Sequence, residues 1–238
     1  MKRLHALAVA AGFAFALTGT VTPPRALAMP PPYVGAQYRY WVFSNHNDLR
    51  DVLAYWVPGP FHVTLETWDY VDPASRDQFR PEVGVHLRDR RKSVYTVQWR
   101  HELDAERLTF GTEQILGGPW VGRAEFSPII GKDSTQPVVS AGADYYWGSY
   151  NFASATLIHD PRGSDLWSIP LRVRAANESN DWVQITVVPT THRSLGWAFD
   201  ARIKGVRAGI ERNSRYDFTD LDNVVFTVGY EHTLGPGR

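Results

Sequence analysis

The sequence has 238 residues, contains no cysteine and carries 25 basic against 25 acidic side chains. The absence of cysteine excludes a disulfide framework, a thiol nucleophile and a cysteine-ligated metal site. The balanced charge provides no basic excess for a nucleic-acid partner. Aromatic residues are abundant, with 9 Trp, 11 Tyr and 11 Phe. They favour an all-β protein, because aromatic side chains suit a pleated surface.

The first 28 residues have the pattern of a secretory signal peptide. A basic head at residues 1–5 precedes an apolar run at 6–21, and the small-residue triplet at 26–28 completes the pattern. The apolar run is shorter than the roughly 20 residues that a helical membrane span requires. We expect cleavage after Ala28 and a single mature domain at residues 29–238. Removal of the peptide leaves 22 basic and 25 acidic residues, a formal charge of −3.

The mature chain consists of short segments in which apolar and polar residues alternate, separated by Gly, Pro, Asn and Asp clusters. A period of two indicates β-strands with one apolar and one polar face. We expect about twelve antiparallel strands, including two less clear segments at 49–56 and 61–71. The clearest segments, in chain order, are 82–88, 95–100, 120–127, 139–147, 167–174, 197–203, 206–211 and 224–231.

Alternation alone fits two kinds of exported protein. In a soluble barrel or sandwich the apolar face forms the core, whereas in an outer-membrane barrel it contacts lipid and the polar face lines the lumen. Aromatic residues at the ends of the apolar faces favour the membrane barrel, because amphipathic rings prefer the membrane interface. Those residues are Trp120, Tyr145, Trp147, Trp167, Trp182, Trp197 and Tyr230.

Small residues in the middle of the apolar faces also favour lipid contact, because a soluble core would need bulkier filling. They are Gly122, Ala124, Ala141, Ala143, Ala201 and Ala208. We therefore predict a single antiparallel transmembrane β-barrel, with a soluble periplasmic ligand-binding barrel as the alternative.

The polar face carries charges of both signs, which we predict to line the lumen. They are Arg88, Arg100, Arg123, Glu125, Asp144, Arg172, Arg174, Asp200, Arg202, Arg207 and Glu211. One interpretation is an ionic plug, because about twelve strands enclose a lumen that side chains largely occupy. The other is a narrow polar passage or a sugar-binding lumen, helped by Trp68, Tyr70 and Tyr146 on the same face. Opposite charges that neutralise each other across a short diameter favour the plug.

The sequence HDPRGSD, residues 159–165, brings together residue types that also occur in hydrolases. We interpret Asp160, Pro161, Arg162 and Gly163 as a turn, because Asp before Pro initiates turns and Gly permits positive φ. A Ser–His–Asp hydrolase is the enzymatic alternative, for which Ser154 or Ser164, His159, and Asp160 or Asp165 supply the residue types. The sequence has no G-x-S-x-G elbow and no histidine pair at metal-ligand spacing. We predict no catalytic residue, no cofactor and no metal.

The last predicted strand, from Thr227 to Leu234, resembles the C-terminal assembly signal of bacterial outer-membrane barrels. It ends in Leu234 where that signal usually has Phe, and the tail at 235–238 follows. The resemblance implies the barrel-assembly machinery as a partner.

A longer resemblance covers most of the chain from about Phe79 to Leu234. The stretches YYWGSYNFASATLIHDPRGSDLW, RAANESNDW and ERNSRYDFTDLDN resemble the YaiO family of outer-membrane β-barrel proteins. The residues that carry it are Tyr150, Asp160, Pro161, Arg162, Trp167, Asn177, Asp181, Trp182, Arg215, Tyr216 and Asp217. The resemblance implies a single-domain barrel in the outer membrane, and related barrels occur beside exopolysaccharide-export machinery.

Together these observations predict a non-enzymatic protein in the outer membrane of a Gram-negative bacterium. Its expected role is structural, or accessory to the transport or binding of envelope polysaccharide through a narrow charged lumen. The expected partners are outer-membrane lipid and envelope polysaccharide, with no nucleic acid. An outer-membrane enzyme that modifies lipid or glycan is the alternative function.

Overall fold

The computed structural model describes residues 32–89, 93–102, 104–148, 150–162, 167–179, 181–191, 195–213 and 222–234. The predicted signal peptide and Gly163 lie outside these residues. Among the described residues, no helix is long and apolar enough to cross a membrane.

The described residues form one antiparallel sheet. Its strands are β1 (Tyr33–Phe43), β2 (Leu49–Val57), β3 (Phe61–Tyr70), β4 (Gln78–Asp89), β5 (Ser93–Glu102), β6 (Ala105–Gly117), β7 (Trp120–Gly131), β8 (Thr135–Tyr146), β9 (Phe152–His159), β10 (Trp167–Ser168), β11 (Leu171–Ala176), β12 (Trp182–Val188), β13 (Gly196–Ile203), β14 (Val206–Arg212) and β15 (Asn223–Thr233).

The sheet closes on itself, because β1 pairs with both β2 and β15. The two short strands β10 and β11 both pair with β9 in one unbroken register, so together they form a single strand of the barrel. The interruption lies at Pro170, which has no N–H to donate to the ladder. Within the described residues the barrel therefore has fourteen strands, an even number as in bacterial outer-membrane barrels.

The strand count is two higher than the twelve expected from the sequence. The first strand, β1, has aromatic or apolar residues on both faces near its end, in the run YRYWVF. The sixth strand, β6, has polar residues on both faces, in the run AERLTFGTEQ. Neither strand shows a simple period of two, which explains why alternation alone does not find them.

An even number of strands places the start of β1 and the end of β15 at the same end of the barrel, where Tyr33 pairs with Thr233. We call this the terminal end and the opposite one the far end. The β13–β14 hairpin at the terminal end is tight, with Lys204 and Gly205 both at positive φ. Such two-residue turns match the twist of the flanking strands.

The apolar face of the barrel points outward and the charged face points into the lumen, as predicted for a transmembrane barrel. Exposed outward residues in the middle of strands include Val97, Phe110 and Val228. Aromatic residues flank this apolar surface near both ends. Near the terminal end they are Trp56, Phe61, Tyr95, Trp120, Tyr145 and Tyr230, and near the far end they are Tyr40, Phe79, Trp99, Trp167 and Trp197.

The orientation of Trp182 differs from the prediction. Its ring lies in the lumen, where the guanidinium carbons of Arg174 and Arg207 are 4.4 and 5.6 Å from the ring centroid. The outward positions of β12 belong to Val183 and Ile185, which are both exposed. Trp182 therefore contributes to lumen packing rather than to the aromatic belt, because the two neighbouring arginines offer its ring cation–π contacts.

The far half of the lumen contains apolar cores of its own. One buried cluster joins Trp41, Phe43, Leu49, Trp68 and Val225 from four strands. A second cluster, on the opposite wall, consists of Ile129, Val138 and Ile158. These side chains face inward at the ends of their strands, so the far end of the lumen is packed like a protein interior.

Candidate functional site in the barrel lumen

The structure places the eleven predicted lumen charges on the inner face of the barrel. Arg88 and Glu125 are exposed to the lumen, and the other nine are buried or half-buried: Arg100, Arg123, Asp144, Arg172, Arg174, Asp200, Arg202, Arg207 and Glu211. In the described strands, ten arginines and ten carboxylates face inward. The additional ones are Arg39, Asp51, Glu66, Arg80, Glu82, Glu102, Arg107, Glu113 and Glu231.

Arg39 on β1 lies at the centre of the most buried group of charges. Its guanidinium is 2.5 Å from Asp51 on β2 and also forms an ion pair with Glu66 on β3. Asp51 is 0% exposed and Glu66 is 3% exposed. A guanidinium suits this position because its planar fork of donors serves two carboxylates at once.

The ion pairs continue around the wall from Glu66. This carboxylate lies 3.7 Å from Arg80 and 3.5 Å from Arg100. Arg80 in turn is 3.0 Å from Glu102, and Arg100 is 2.9 Å from Glu82. Each charge is shared by at least two partners, which offsets part of the cost of removing it from water.

The chain of ion pairs then crosses the lumen to the loop after β9. Glu102, at the end of β5, lies 3.8 Å from Arg162. Arg162 is held by Asp160 at 2.6 Å, and Asp160 is 2% exposed. Strands β6, β7 and β8 separate β5 from β9, so this contact joins distant parts of the wall. We call the nine residues Arg39, Asp51, Glu66, Arg80, Glu82, Arg100, Glu102, Asp160 and Arg162 the lumen ion-pair network.

The predicted turn is thus a hairpin connection with an additional role. The Asp160 carboxylate accepts a hydrogen bond from the Arg162 backbone N–H at 3.1 Å, as expected for a turn initiated by Asp. The same carboxylate points inward and fixes the Arg162 guanidinium through its side-chain N–H groups. The loop therefore contributes a charged pair to the lumen.

A second set of pairs covers the wall from β7 to β15. Arg123 lies 2.7 Å from Asp144, and Arg202 lies 2.9 Å from Glu231. Arg207 is 3.3 Å from Asp200. Arg174 donates to Gln184 at 2.9 Å and stacks on Trp182. Most of these pairs join strands directly or across one intervening strand.

The lumen is more open toward the terminal end. A cavity of about 370 Å³ opens there beside Tyr33, Tyr55 and Glu231. A second cavity of about 210 Å³ continues inward and shares His86 and Gln98 with the first. The barrel thus forms a polar cup that is open toward the terminal end. The ion-pair network and the apolar clusters occupy most of the far half, where a smaller cavity of about 170 Å³ lies beside Arg100 and Arg107.

Two histidines lie between these cavities. His62 Nδ1 is 3.2 Å from His86 Nε2, and His62 Nε2 is 3.2 Å from Glu82. Gln98 also contacts His62, at 3.2 Å. In the described part of the chain, no group of three His, Asp or Glu side chains is arranged to hold a metal ion.

Among the described residues, those of the hydrolase alternative are not brought together. His159 contacts the ring of Trp167 on the outer face, with centroids 4.6 Å apart. Asp160 lies in the lumen, on the other side of the wall. Ser154 also faces inward, two strand positions from Thr156. Ser164 and Asp165 lie outside the described residues.

Sequence reasoning missed nine of the twenty lumen charges, and several of these lie in strands without clear alternation. Asp51 and Glu66 belong to the two segments considered less clear, and Arg39 lies in a strand that was not predicted at all. A usable signal was present for two of them: Arg39 shares its face with Gln37 and Gly35 at spacing two, and Glu66 shares its face with Thr64 and His62. Asp51 has only apolar or aromatic neighbours at that spacing.

No protein-family model matches the sequence, and no curated protein matches it. Solved structures do match the fold. One engineered variant of the Rhodopseudomonas blastica porin has a TM-score of 0.52 at 7% identity, over 84% of this chain and 99% of the porin. Another variant of that porin has a TM-score of 0.51 over the same shares. The KdgM porin has a TM-score of 0.48 at 9% identity, over 83% of this chain and 98% of that one.

The likeness is one of fold. The chain has the porin-type, outer-membrane β-barrel fold, and this agrees with its outward apolar face and its charged lumen. At 7% identity nothing about a ligand is carried over, so the chemistry of the lumen has to be argued from this chain's own residues.

Proposed function

We propose that this protein is a non-enzymatic outer-membrane barrel of a Gram-negative envelope. Its lumen is closed in the far half and binds envelope glycan that enters from the terminal end. The protein is an accessory to polysaccharide transport or a structural element of the envelope. The proposal also assigns the chain to the YaiO family, on the resemblance from about Phe79 to Leu234. The observation that carries the proposal is the lumen ion-pair network, which crosses the lumen from β5 to the loop after β9.

The network supports closure because a solute would have to separate buried charges to pass. The pairs formed by Arg39 and Arg80 lie almost entirely out of water. Removal of one partner from such a pair costs about 3–5 kcal/mol. A passing ion or sugar provides no equal compensation, so we expect the resting barrel not to conduct.

The orientation follows from the lengths of the connections. Outer-membrane barrels have short periplasmic turns and longer extracellular loops. The β13–β14 and β6–β7 connections at the terminal end contain two residues each, whereas the β3–β4 and β14–β15 connections at the far end contain seven and ten. We therefore place the terminal end in the periplasm. The open cup then faces the compartment through which a polysaccharide is delivered for export.

Two further partners belong to the proposal. The outward apolar surface and its aromatic belts fit outer-membrane lipid. The strand from Thr227 to Leu234 is proposed to be recognised by the barrel-assembly machinery. Its outward positions include the aromatic Tyr230 and end in Leu234. A cleaved signal peptide ending at Ala28 supplies the export step.

Planar-bilayer recording of the purified barrel tests the closure. We expect no stepwise conductance from the wild type. The double variant Glu66→Gln/Glu102→Gln should conduct in steps, because it removes two carboxylates that form ion pairs within the network. Arg162→Ala serves as a second variant if the double variant does not fold. The matched control is Arg76→Ala, which removes an exposed arginine of the far-end loops. Ohmic steps from the wild type, of the size of the variants' steps, would contradict closure.

A further inference from the structure

The cavity at the terminal end has the dimensions of a ligand site. Its volume is about 370 Å³, within the usual range of 300–1,000 Å³ for small-molecule pockets. It is lined by two tyrosines and by convergent polar groups, among them Tyr33, Tyr55, Gln37, Gln98, Arg207 and Glu231. A few precisely placed polar groups beside aromatic surface are the usual composition of such pockets.

The ring of Tyr55 lies flat against the barrel wall. A Cβ added to Gly35 would lie 2.5 Å from Tyr55 Cζ, so only glycine allows the ring to lie on β1. Tyr33 packs against it edge to face, with centroids 5.8 Å apart. The wall therefore covers the Gly35 side of the Tyr55 ring, and the ring lines the cavity beside Tyr33.

The wall beside Tyr55 is built in the same way. His62 lies over Gly84, where an added Cβ would overlap the imidazole Cε1. Both glycines face inward on strands next to those of the large side chains. Because these glycines have no side chain, Tyr55 and His62 can lie close against the wall, and the space inside the barrel stays open.

The charges that line this cavity are already compensated by neighbours in the wall. Glu231 is 2.9 Å from Arg202, Glu82 is 2.9 Å from Arg100, and Arg207 is 3.3 Å from Asp200. A charged ligand would have to compete with these pairs. A neutral ligand that both donates and accepts hydrogen bonds can instead use their remaining lone pairs and N–H groups.

The deeper cavity opposes an acidic ligand further. It is lined by the carboxylates of Glu113 and Glu125, by hydroxyl groups of Thr109, Ser140 and Thr156, and by Arg123. The Arg123 guanidinium is already paired with Asp144 at 2.7 Å, so the two glutamates outnumber it. Glu125 is exposed to this space. A uronic-acid or phosphate group that entered it would meet like charge, which is unfavourable at short range in a low-dielectric lumen.

We propose that the cup binds neutral sugar residues, with the ring of Tyr55 as the stacking surface and with Gln37, Gln98 and Glu231 as hydrogen-bonding partners. This inference rests on the proposed glycan-binding function and specifies its ligand class. A pyranose ring combines an apolar C–H face with hydroxyl groups at its edge, so it matches an aromatic surface bordered by amides and carboxylates.

Calorimetric titration of the folded barrel in detergent tests the ligand class. The probes are maltotriose and triacetylchitotriose as neutral trisaccharides, and trigalacturonate as the acidic one. We expect at least one neutral probe to bind ten-fold or more tightly than trigalacturonate. Tighter binding of trigalacturonate would overturn the inference while leaving glycan binding intact, and binding of none of the three would overturn it as well.

Two variants test the site itself. Tyr55→Leu should weaken the neutral probe at least ten-fold, and Gly35→Ala should do the same by displacing the ring from the wall. The matched control is Tyr230→Leu, an outward tyrosine near the same end of the barrel. Heat-modifiable gel mobility shows that each variant is folded. Unchanged binding in folded Tyr55→Leu would exclude this stacking surface, whatever the conductance experiment shows.

Discussion

Arg162, in the loop after β9, lies 3.8 Å from Glu102 at the end of β5, although three strands separate β5 and β9 in the barrel. The guanidinium extends into the lumen toward Glu102 because an ion pair with Asp160, at 2.6 Å, fixes its orientation. A loop that resembles an ordinary turn in the sequence is therefore tied to a part of the wall that lies beyond three intervening strands. This contact couples the far-end loop to the network that fills the lumen.

The first prediction concerns the stability that this contact provides. Arg162→Ala leaves Asp160 buried without its cation, so we expect a loss of about 3–5 kcal/mol in the free energy of unfolding. Arg162→Ala combined with Asp160→Asn should lose less, because the uncompensated charge is gone. Urea unfolding in detergent or lipid vesicles measures both.

The control for this prediction is Arg76→Ala. Arg76 lies 3.6 Å from Asp104 at the far end, but its side chain is 73% exposed. Exposed ion pairs contribute about 0–1 kcal/mol. Equal losses in Arg76→Ala and Arg162→Ala would mean that burial of Asp160 is not what makes the contact important.

The second prediction concerns Arg39. Arg39→Met leaves both Asp51 and Glu66 buried without their shared cation, and we expect it to cost about 3–5 kcal/mol. The double variant Arg39→Met/Asp51→Leu should recover most of that loss, because apolar side chains of similar size often replace buried ion pairs without penalty, and Glu66 keeps Arg80 and Arg100 as partners. The same urea experiment applies, and a double variant less stable than Arg39→Met would contradict the desolvation argument.

The third prediction compares the two faces of one strand. Val97 faces outward and Gln98 faces the lumen, at adjacent positions near the middle of β5. An arginine facing lipid near the midplane costs about 2–4 kcal/mol. Val97→Arg should therefore lower the free energy of unfolding by that amount, and Gln98→Arg by clearly less. If the two substitutions have equal effects, the assignment of the apolar face to lipid is wrong.

The sequence was sufficient for the fold class and for most faces, because a period of two survives in strands such as β5, β8 and β13. It was insufficient where the lumen itself is apolar. Trp41 and Phe43 face inward beside outward Val42, so β1 is apolar on both faces near its end. A strand that contributes both to a lipid surface and to an internal core carries no alternation to detect.

The pairing of charges could not be predicted for a different reason. Alternation can assign a residue to a face, but it does not give its partner. The contact between Arg39 and Glu66 bridges β2 and depends on the tilt of the strands and the closure of the barrel. The same is true of Arg202 and Glu231, which lie on either side of β14. Trp182 was assigned to the wrong face because aromatic residues near strand ends suit both a membrane interface and a lumen rich in arginine.

The last prediction concerns the terminal strand and its expected recognition by the barrel-assembly machinery. Tyr230 on β15 and Tyr95 on β5 both face outward near the terminal end, and both are exposed. Each contributes to the same aromatic belt, so replacement by alanine should weaken membrane anchoring similarly. Only Tyr230 lies between Thr227 and Leu234. In cells, we therefore expect Tyr230→Ala to reduce the heat-modifiable, membrane-integrated fraction several-fold more than Tyr95→Ala.

Refolding of the purified variants into lipid vesicles separates recognition from folding. Without the assembly machinery, both variants should refold to the same extent, because they lose equivalent interfacial contacts. A refolding defect specific to Tyr230→Ala would assign its effect to closure of β15 against β1. Equal losses of both variants in cells would show that the position of Tyr230 in the terminal strand gives it no special role in assembly.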